Sequence, residues 1–302
     1  MQYVEEYRDG HLSRRGMLRR IGLITGGAAM AVGFLKEFGI EATANEVLAA
    51  GPEAAPASQR SAITVSPEDP QIRAGWIVFP ADDGASIIGY LARPSAQGAN
   101  QGVLIVHENR GPTEHILDVT RRFARDGFTA LTVDLLSRAG GTGGFNDPAQ
   151  LSAALSGAGP ERNTGDLSAG VAALVARDDV RPGGVGVIGY CFGGGLAWRL
   201  ATTDPNIVAA APHYGIAPPL ENVPNIRGPV LAIYAERDER ITASWTPLKD
   251  ALDAAGKTYQ VAIYPGVGHA FHNDTGQSYN EGAARDAYQG TVAWFRQYLP
   301  RA

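Results

Sequence analysis

The 302-residue chain has one cysteine, Cys191, so it forms no intramolecular disulfide and builds no multi-cysteine zinc or iron–sulfur centre. It has no positive excess either. Lys and Arg number 26 against 31 Asp and Glu, a net charge of -5, which does not suit a protein that relies on attraction to phosphate backbones, so no nucleic-acid partner is expected. Its uncharged stretch Ile21 to Leu35 holds 15 residues, short of the roughly 20 that span a bilayer. No internal repeat is present, and Gly140-Gly141-Thr142-Gly143-Gly144 lacks both the G-x-G-x-x-G order and a following Lys-Ser/Thr, so it reads as a mobile surface loop and not as a phosphate cradle. What is there is globular: 44% hydrophobic and 19% charged residues, with 38 glycines as the one excess.

The first fifty residues read apart from the rest. Arg14-Arg15 stands just ahead of the apolar stretch, and small residues follow at Ala42-Thr43-Ala44 and Val47-Leu48-Ala49. This order resembles a twin-arginine (Tat) signal peptide, an address read by the Tat translocase, which places the mature protein in the periplasm or outside the cell without stable membrane association. Residues 1–50 carry six basic and six acidic side chains, so the whole net charge belongs to the remainder. The expected organisation is a leader at 1–50, an Ala/Pro/Ser-rich linker at 51–72 and a folded domain at 73–302.

In the domain, short apolar runs alternate with helical patterns, the signature of βα units around a mostly parallel sheet with helices on both faces. Strands are expected at 74–79, 86–93, 103–106, 128–133, 185–188, 207–211, 230–234 and 261–264. Helices are expected at about 113–126, 166–177, 193–203 and 282–299.

Gly189-Tyr190-Cys191-Phe192-Gly193 lies between a buried strand and a helix, the setting that gives the G-x-S-x-G pattern its meaning, here with cysteine for serine. A sharp strand-to-helix turn pushes the central side chain over the sheet's carboxyl edge. There the helix N-terminus favours a thiolate, and the Phe192 amide faces the place of an oxyanion. In the chain order nucleophile, acid, histidine, Asp238 follows the strand at 230–234, and His269 follows Gly268 after the last strand. His272 is the rival histidine. Glu108, in Val106-His107-Glu108-Asn109-Arg110-Gly111, follows the third strand, where it faces the nucleophile or pairs with Arg110 at the surface. The Asn109 amide occupies the loop that supplies a second oxyanion donor. Arg110, Tyr190, His213, Tyr214, Phe271 and His272 are the expected substrate-binding residues.

Together, His107-Glu108-Asn109-Arg110-Gly111, Gly189-Tyr190-Cys191-Phe192-Gly193-Gly194, Glu236-x-Asp238 and Gly268-His269-Ala270-Phe271 resemble the dienelactone hydrolases (carboxymethylenebutenolidases) from about Ala74 to Leu299. The resemblance implies an α/β-hydrolase fold and hydrolysis of an ester or lactone by a Cys191, Asp238, His269 triad with no metal or organic cofactor. It also implies that Glu108 holds the resting thiol and takes its proton when substrate arrives. Where the family carries an arginine four residues after the histidine to bind a substrate carboxylate, this chain has Asn273. The alternatives are an acyltransferase or thioesterase on the same fold, a redox-responsive thiol protein, and a non-catalytic binding module.

Overall fold

The computed structural model describes residues 2–10, 13–24, 28–43, 46–47 and 64–301. Three N-terminal helices, α1 (Gln2–Arg8), α2 (Arg14–Ile24) and α3 (Ala28–Glu37), share a small core of their own that includes Val4, Met17, Leu18, Ile21, Ala31 and Leu35. The apolar stretch expected as one run is therefore divided between two helices, and among the described residues no helix is long and apolar enough to cross a membrane. Ala44, Leu48, Ala49 and residues 51–63 of the expected linker lie outside the described residues.

From Thr64 the chain is a single layered structure. In order come β1 (Ile72–Pro80), β2 (Ser86–Pro94), β3 (Gln101–Val106), α4 (Glu114–Arg125), β4 (Phe128–Val133), α5 (Pro148–Gly157), α6 (Pro160–Val175) and β5 (Val185–Tyr190). They are followed by α7 (Phe192–Thr203), β6 (Ile207–His213), β7 (Val230–Ala235), the short α8 (Glu239–Thr242), α9 (Trp245–Ala254), β8 (Tyr259–Tyr264) and α10 (Glu281–Tyr298). The eight strands form one sheet in the order β1-β2-β4-β3-β5-β6-β7-β8. β1 and β2 run antiparallel to each other and β2 to β4, and all later pairs are parallel.

Alternation of side chains along each strand divides the core between the two faces. Leu104, Val106, Val185 and Val187 belong to the cluster that also holds Leu167, Val171, Leu196 and Leu248. Val103, Ile105, Ile188 and Tyr190 belong to the cluster with Ile116, Val119, Phe123 and Phe295. β3, β4, β5 and β7 are buried along their whole length, which is why they read as continuous apolar runs. Strand order reverses between β3 and β5. At such a switch point the connections leave in opposite directions and open a crevice at the carboxyl ends.

The structure departs from the expected elements in three places. α6 begins at Pro160, six residues before the expected start at Asp166, with proline at the first helical position. α5 and α9 were not expected, although Asp147-Pro148 is a cap followed by a first-turn proline, and Asp147 indeed accepts the Ala149 N–H at 2.8 Å. The Gly140–Gly144 loop is not loose. The buried Asp134 carboxylate accepts the Thr142 N–H at 2.7 Å and the Thr142 hydroxyl at 2.8 Å, fixing the loop to the end of β4.

Candidate active site

The backbone turns from β5 into α7 at Cys191 with φ 56° and ψ -114°. Among the described residues only Cys191, Tyr214 and Ala270 combine a side chain with positive φ, and all three surround one spot on the sheet's carboxyl edge. Strain of this kind costs on the order of 1–3 kcal/mol per residue, and the surrounding packing must hold it. Here the holding is visible. The Cys191 N–H donates to His213 C=O at 3.1 Å, and the Cys191 C=O accepts the Gly195 N–H at 3.2 Å. Gly189 and Gly193 are glycine for lack of space: a Cβ on Gly189 would stand 2.0 Å from the Gly193 carbonyl oxygen, and one on Gly193 would stand 2.3 Å from the Val106 oxygen. The turn therefore packs backbone on backbone across the switch point.

Cys191 is half-buried. His269 Nε2 stands 2.9 Å from its Sγ, and His269 Nδ1 bonds to Asp238 Oδ2. A carboxylate only accepts, so Nδ1 carries the proton and Nε2 faces the sulfur. The hydrogen bond with the Cys191 sulfur first, and that with the Asp238 carboxylate second, raise the His269 pKa to about 9 against the opposing effect of burial. The loops bearing the two residues are laced together: the Arg237 N–H donates to Val267 C=O at 3.0 Å, and the Gly266 N–H donates to the Glu236 carboxylate at 2.7 Å. The Tyr214 ring meets the imidazole edge to face at 5.1 Å. The structure thus joins Cys191, His269 and Asp238 in one hydrogen-bonded chain, while Glu236 and Glu239 face solvent.

Glu108 is 6% exposed, which removes the alternative of a surface pair with Arg110, itself exposed. The resemblance implied that Glu108 holds the resting thiol, and here the structure differs. The thiol's partner is His269, whereas the Glu108 carboxylate accepts from Asn273 Nδ2. Burial raises the Glu108 pKa, opposed first by the His115 charge. The Asn273 amide cannot turn away, because its Oδ1 accepts the Thr275 N–H at 3.0 Å and the Thr275 hydroxyl at 2.6 Å. Phe192 opens α7, so its N–H has no partner within the helix, and Asn109 is exposed in the β3–α4 loop.

Five expected substrate-binding residues need correction. Tyr190, His213, Tyr214, Phe271 and His272 are all buried to within 1%, so they form a layer beneath the thiol instead of a surface for substrate. Burial lowers the His213 pKa to about 4 and holds that of His272 well below the usual range. In this layer the Tyr190 ring stands 4.8 Å from both imidazoles. His115, which no motif marks, also belongs here: its Nδ1 bonds to Asp274 at 2.7 Å while Arg122 takes the other Asp274 oxygen at 2.8 Å. The only signal for this pair was the run of polar residues after Phe271, since their partners on α4 are over 150 positions away. Among the described residues no group of three His, Cys, Asp or Glu side chains is arranged to hold a metal ion.

The model of the dienelactone hydrolase family matches residues 87–299. A Methylorubrum extorquens protein, provisionally named a carboxymethylenebutenolidase, is 32% identical over 247 residues, covering 78% of this chain and 84% of its own. An Escherichia coli K12 protein with the same provisional name is 31% identical over 259 residues, covering 81% and 94%. A Klebsiella pneumoniae crystal structure, provisionally described as a dienelactone hydrolase, superposes with a TM-score of 0.69 at 32% identity over 75% of this chain and 99% of its own. The acylaminoacyl peptidase of Pyrococcus horikoshii shares the fold alone, with a TM-score of 0.60 at 14% identity. The eight-stranded sheet is that of an α/β-hydrolase, and the chain belongs to the dienelactone hydrolase family.

Proposed function

We propose that this protein hydrolyses carboxylic esters or lactones through a thioester on Cys191. The observation that carries the reading is the hydrogen-bonded chain Asp238, His269, Cys191, with the sulfur 2.9 Å from Nε2. With the proton on Nε2, the sulfur attacks the acyl carbon while the Phe192 and Asn109 amides receive the developing oxyanion. Collapse breaks the acyl–oxygen bond, and His269 returns its proton to the leaving alcohol or enol. The same imidazole then draws a proton from water, whose oxygen attacks the thioester and releases the acid and the thiol. Asp238 holds the tautomer and balances the imidazolium charge. No step calls on a metal or organic cofactor.

Export through the Tat translocase to the periplasm or beyond is part of the proposal and is supported by Arg14-Arg15 ahead of the uncharged stretch. The direct test of the hydrolase reading is Cys191→Ala assayed on p-nitrophenyl acetate. Turnover and the acyl adduct seen by intact mass spectrometry should both vanish while the circular dichroism spectrum is unchanged. Turnover equal to wild type would refute the reading.

A further inference from the structure

Glu108 and Cys191 are brought together by register. Val106 of β3 pairs with Gly189 of β5, so each residue stands two positions beyond a paired strand position, on neighbouring parallel strands about 5 Å apart. The family's reaction leaves open which acyl groups this edge accepts, and the charges on it bear directly on that question.

Negative groups are plentiful there, and of the cationic groups within reach of Glu108 His269 is already taken up by Asp238 and the sulfur, and Arg110 lies exposed at the rim. The edge holds the buried Glu108 carboxyl, the Asp238 carboxylate and the thiol. Each buried cation nearby has a carboxylate of its own: Arg121 bonds to Glu114 at 2.5 Å, and Arg122 bonds to Asp118 at 2.5 Å and to Asp274 at 2.8 Å. His115 gives its Nδ1 to Asp274. The side chain placed on Glu108 is instead the neutral amide of Asn273, fixed in that orientation by Thr275. The first turn of α7, which begins one residue after Cys191, carries apolar side chains. Ile216 is 58% exposed, and its Cγ2 stands 3.1 Å from where a Cβ on Gly195 would be, which places it over the first turn of α7. Phe192 is half-buried on the same turn.

We propose that the Glu108–Asn273 pair makes this site selective for esters and lactones whose acyl half carries no negative charge, with these two side chains as the specificity-determining residues. A carboxylate entering here would lose its water shell and meet a carboxylate and an amide, while each buried basic group nearby among the described residues already holds a carboxylate of its own. A neutral acyl chain loses little water and gains contact with Ile216 and Phe192. The proposal rests on the hydrolase reading above and narrows its substrate class.

The test compares p-nitrophenyl hexanoate with the mono-p-nitrophenyl ester of adipate, which has the same chain length with a terminal carboxylate. Spontaneous hydrolysis is subtracted from each. Wild type should favour the neutral ester in kcat/KM by about tenfold or more. Asn273→Arg, which puts a cation opposite Glu108, and Glu108→Gln, which removes the carboxyl, should each shrink that ratio by about fivefold or more. The change should come mainly from the carboxylate ester. Should Asn273→Arg fail to fold, Glu108→Gln alone decides. A wild-type ratio within twofold of unity, a preference for the carboxylate ester that Arg110→Ala abolishes, or a ratio unmoved in the folded variants would overturn the proposal. A failure of the hydrolase reading looks different: neither ester is turned over and neither leaves an acyl group on Cys191.

Discussion

Replacing Asp238 by asparagine keeps the side chain's volume and removes one charge from the chain that ends on the thiol. In the wild type the carboxylate is 10% exposed and accepts the His269 Nδ1 proton, leaving Nε2 to face Sγ at 2.9 Å. Thiol and carboxylate together raise His269 from 6.5 to about 9, equivalent to at most about 3 kcal/mol in favour of the imidazolium. The imidazole is one-third exposed, and solvent screening reduces that figure to about 1 kcal/mol. Because the folded value lies above the unfolded one, this contribution is complete below pH 6.5 and is lost as the pH rises through about 9.

Asp238→Asn should therefore flatten the fall in stability between pH 6.5 and 9 and move the alkaline limb of kcat/KM downward from about 9. The thiol's larger share keeps part of the rise. An asparagine amide can also donate to Nδ1, which turns the imidazole to the wrong tautomer, so kcat should fall on the order of a thousandfold. The assay is hydrolysis of an alkyl acetate, whose alkoxide leaving group needs a proton, followed by pH-stat from pH 5 to 10 beside iodoacetamide alkylation of Cys191 followed by mass. Hydrolysis needs the imidazolium to protonate the leaving group and should decline above pH 9, whereas alkylation needs only the thiolate and should not. A variant with kcat within threefold of wild type and an unmoved alkaline limb would show that Asp238 does not orient His269.

Three further outcomes concern packing and the Arg14-Arg15 pair. Gly193→Ala sets a Cβ 2.3 Å from the Val106 oxygen and 2.4 Å from the His107 oxygen, and should cost about 3 kcal/mol, seen as a Tm lower by roughly 6–12 °C; a change under 2 °C contradicts the backbone contact. Asp118 accepts the Val65 N–H and the Thr64 hydroxyl, each at 2.8 Å, and bonds to Arg122, so Asp118→Ala should destabilise by about 3 kcal/mol in urea unfolding, whereas an unchanged midpoint would mean that this join between Val65 and α4 carries no weight. Arg14→Lys combined with Arg15→Lys should leave the protein in the cytoplasmic fraction of the producing cells, and undiminished export would remove the Tat reading.

Much of this protein is legible in one dimension because the features concerned are local. Strands buried on both faces read as β-branched runs, as in Val103 to Val106, and α4 shows its buried stripe as Ile116, Val119 and Phe123. The turn at Cys191 is legible because Gly189 and Gly193 flank it at fixed spacing, and chain order then selects Asp238 and His269. α5 gives little to read because it buries only Leu151 and Leu155, too little to establish a helical period.

What the residues alone determined is the α/β class and the identity of the three groups that meet, since each follows from a pattern within ten positions or from the order of patterns. The tertiary structure decided what those groups touch. It put Asn273 on Glu108 across 165 positions and His115 on Asp274 across 159, and it buried the five aromatic and imidazole side chains that the sequence presented as a substrate surface. Spacing reports which side chains share an element, but burial and charge pairing depend on elements packed from opposite ends of the chain. The lone cysteine and its order ahead of Asp238 and His269 are legible from local patterns, whereas the placing of Glu108 on Asn273 and not on the sulfur depends on β3 and the last loop meeting in space.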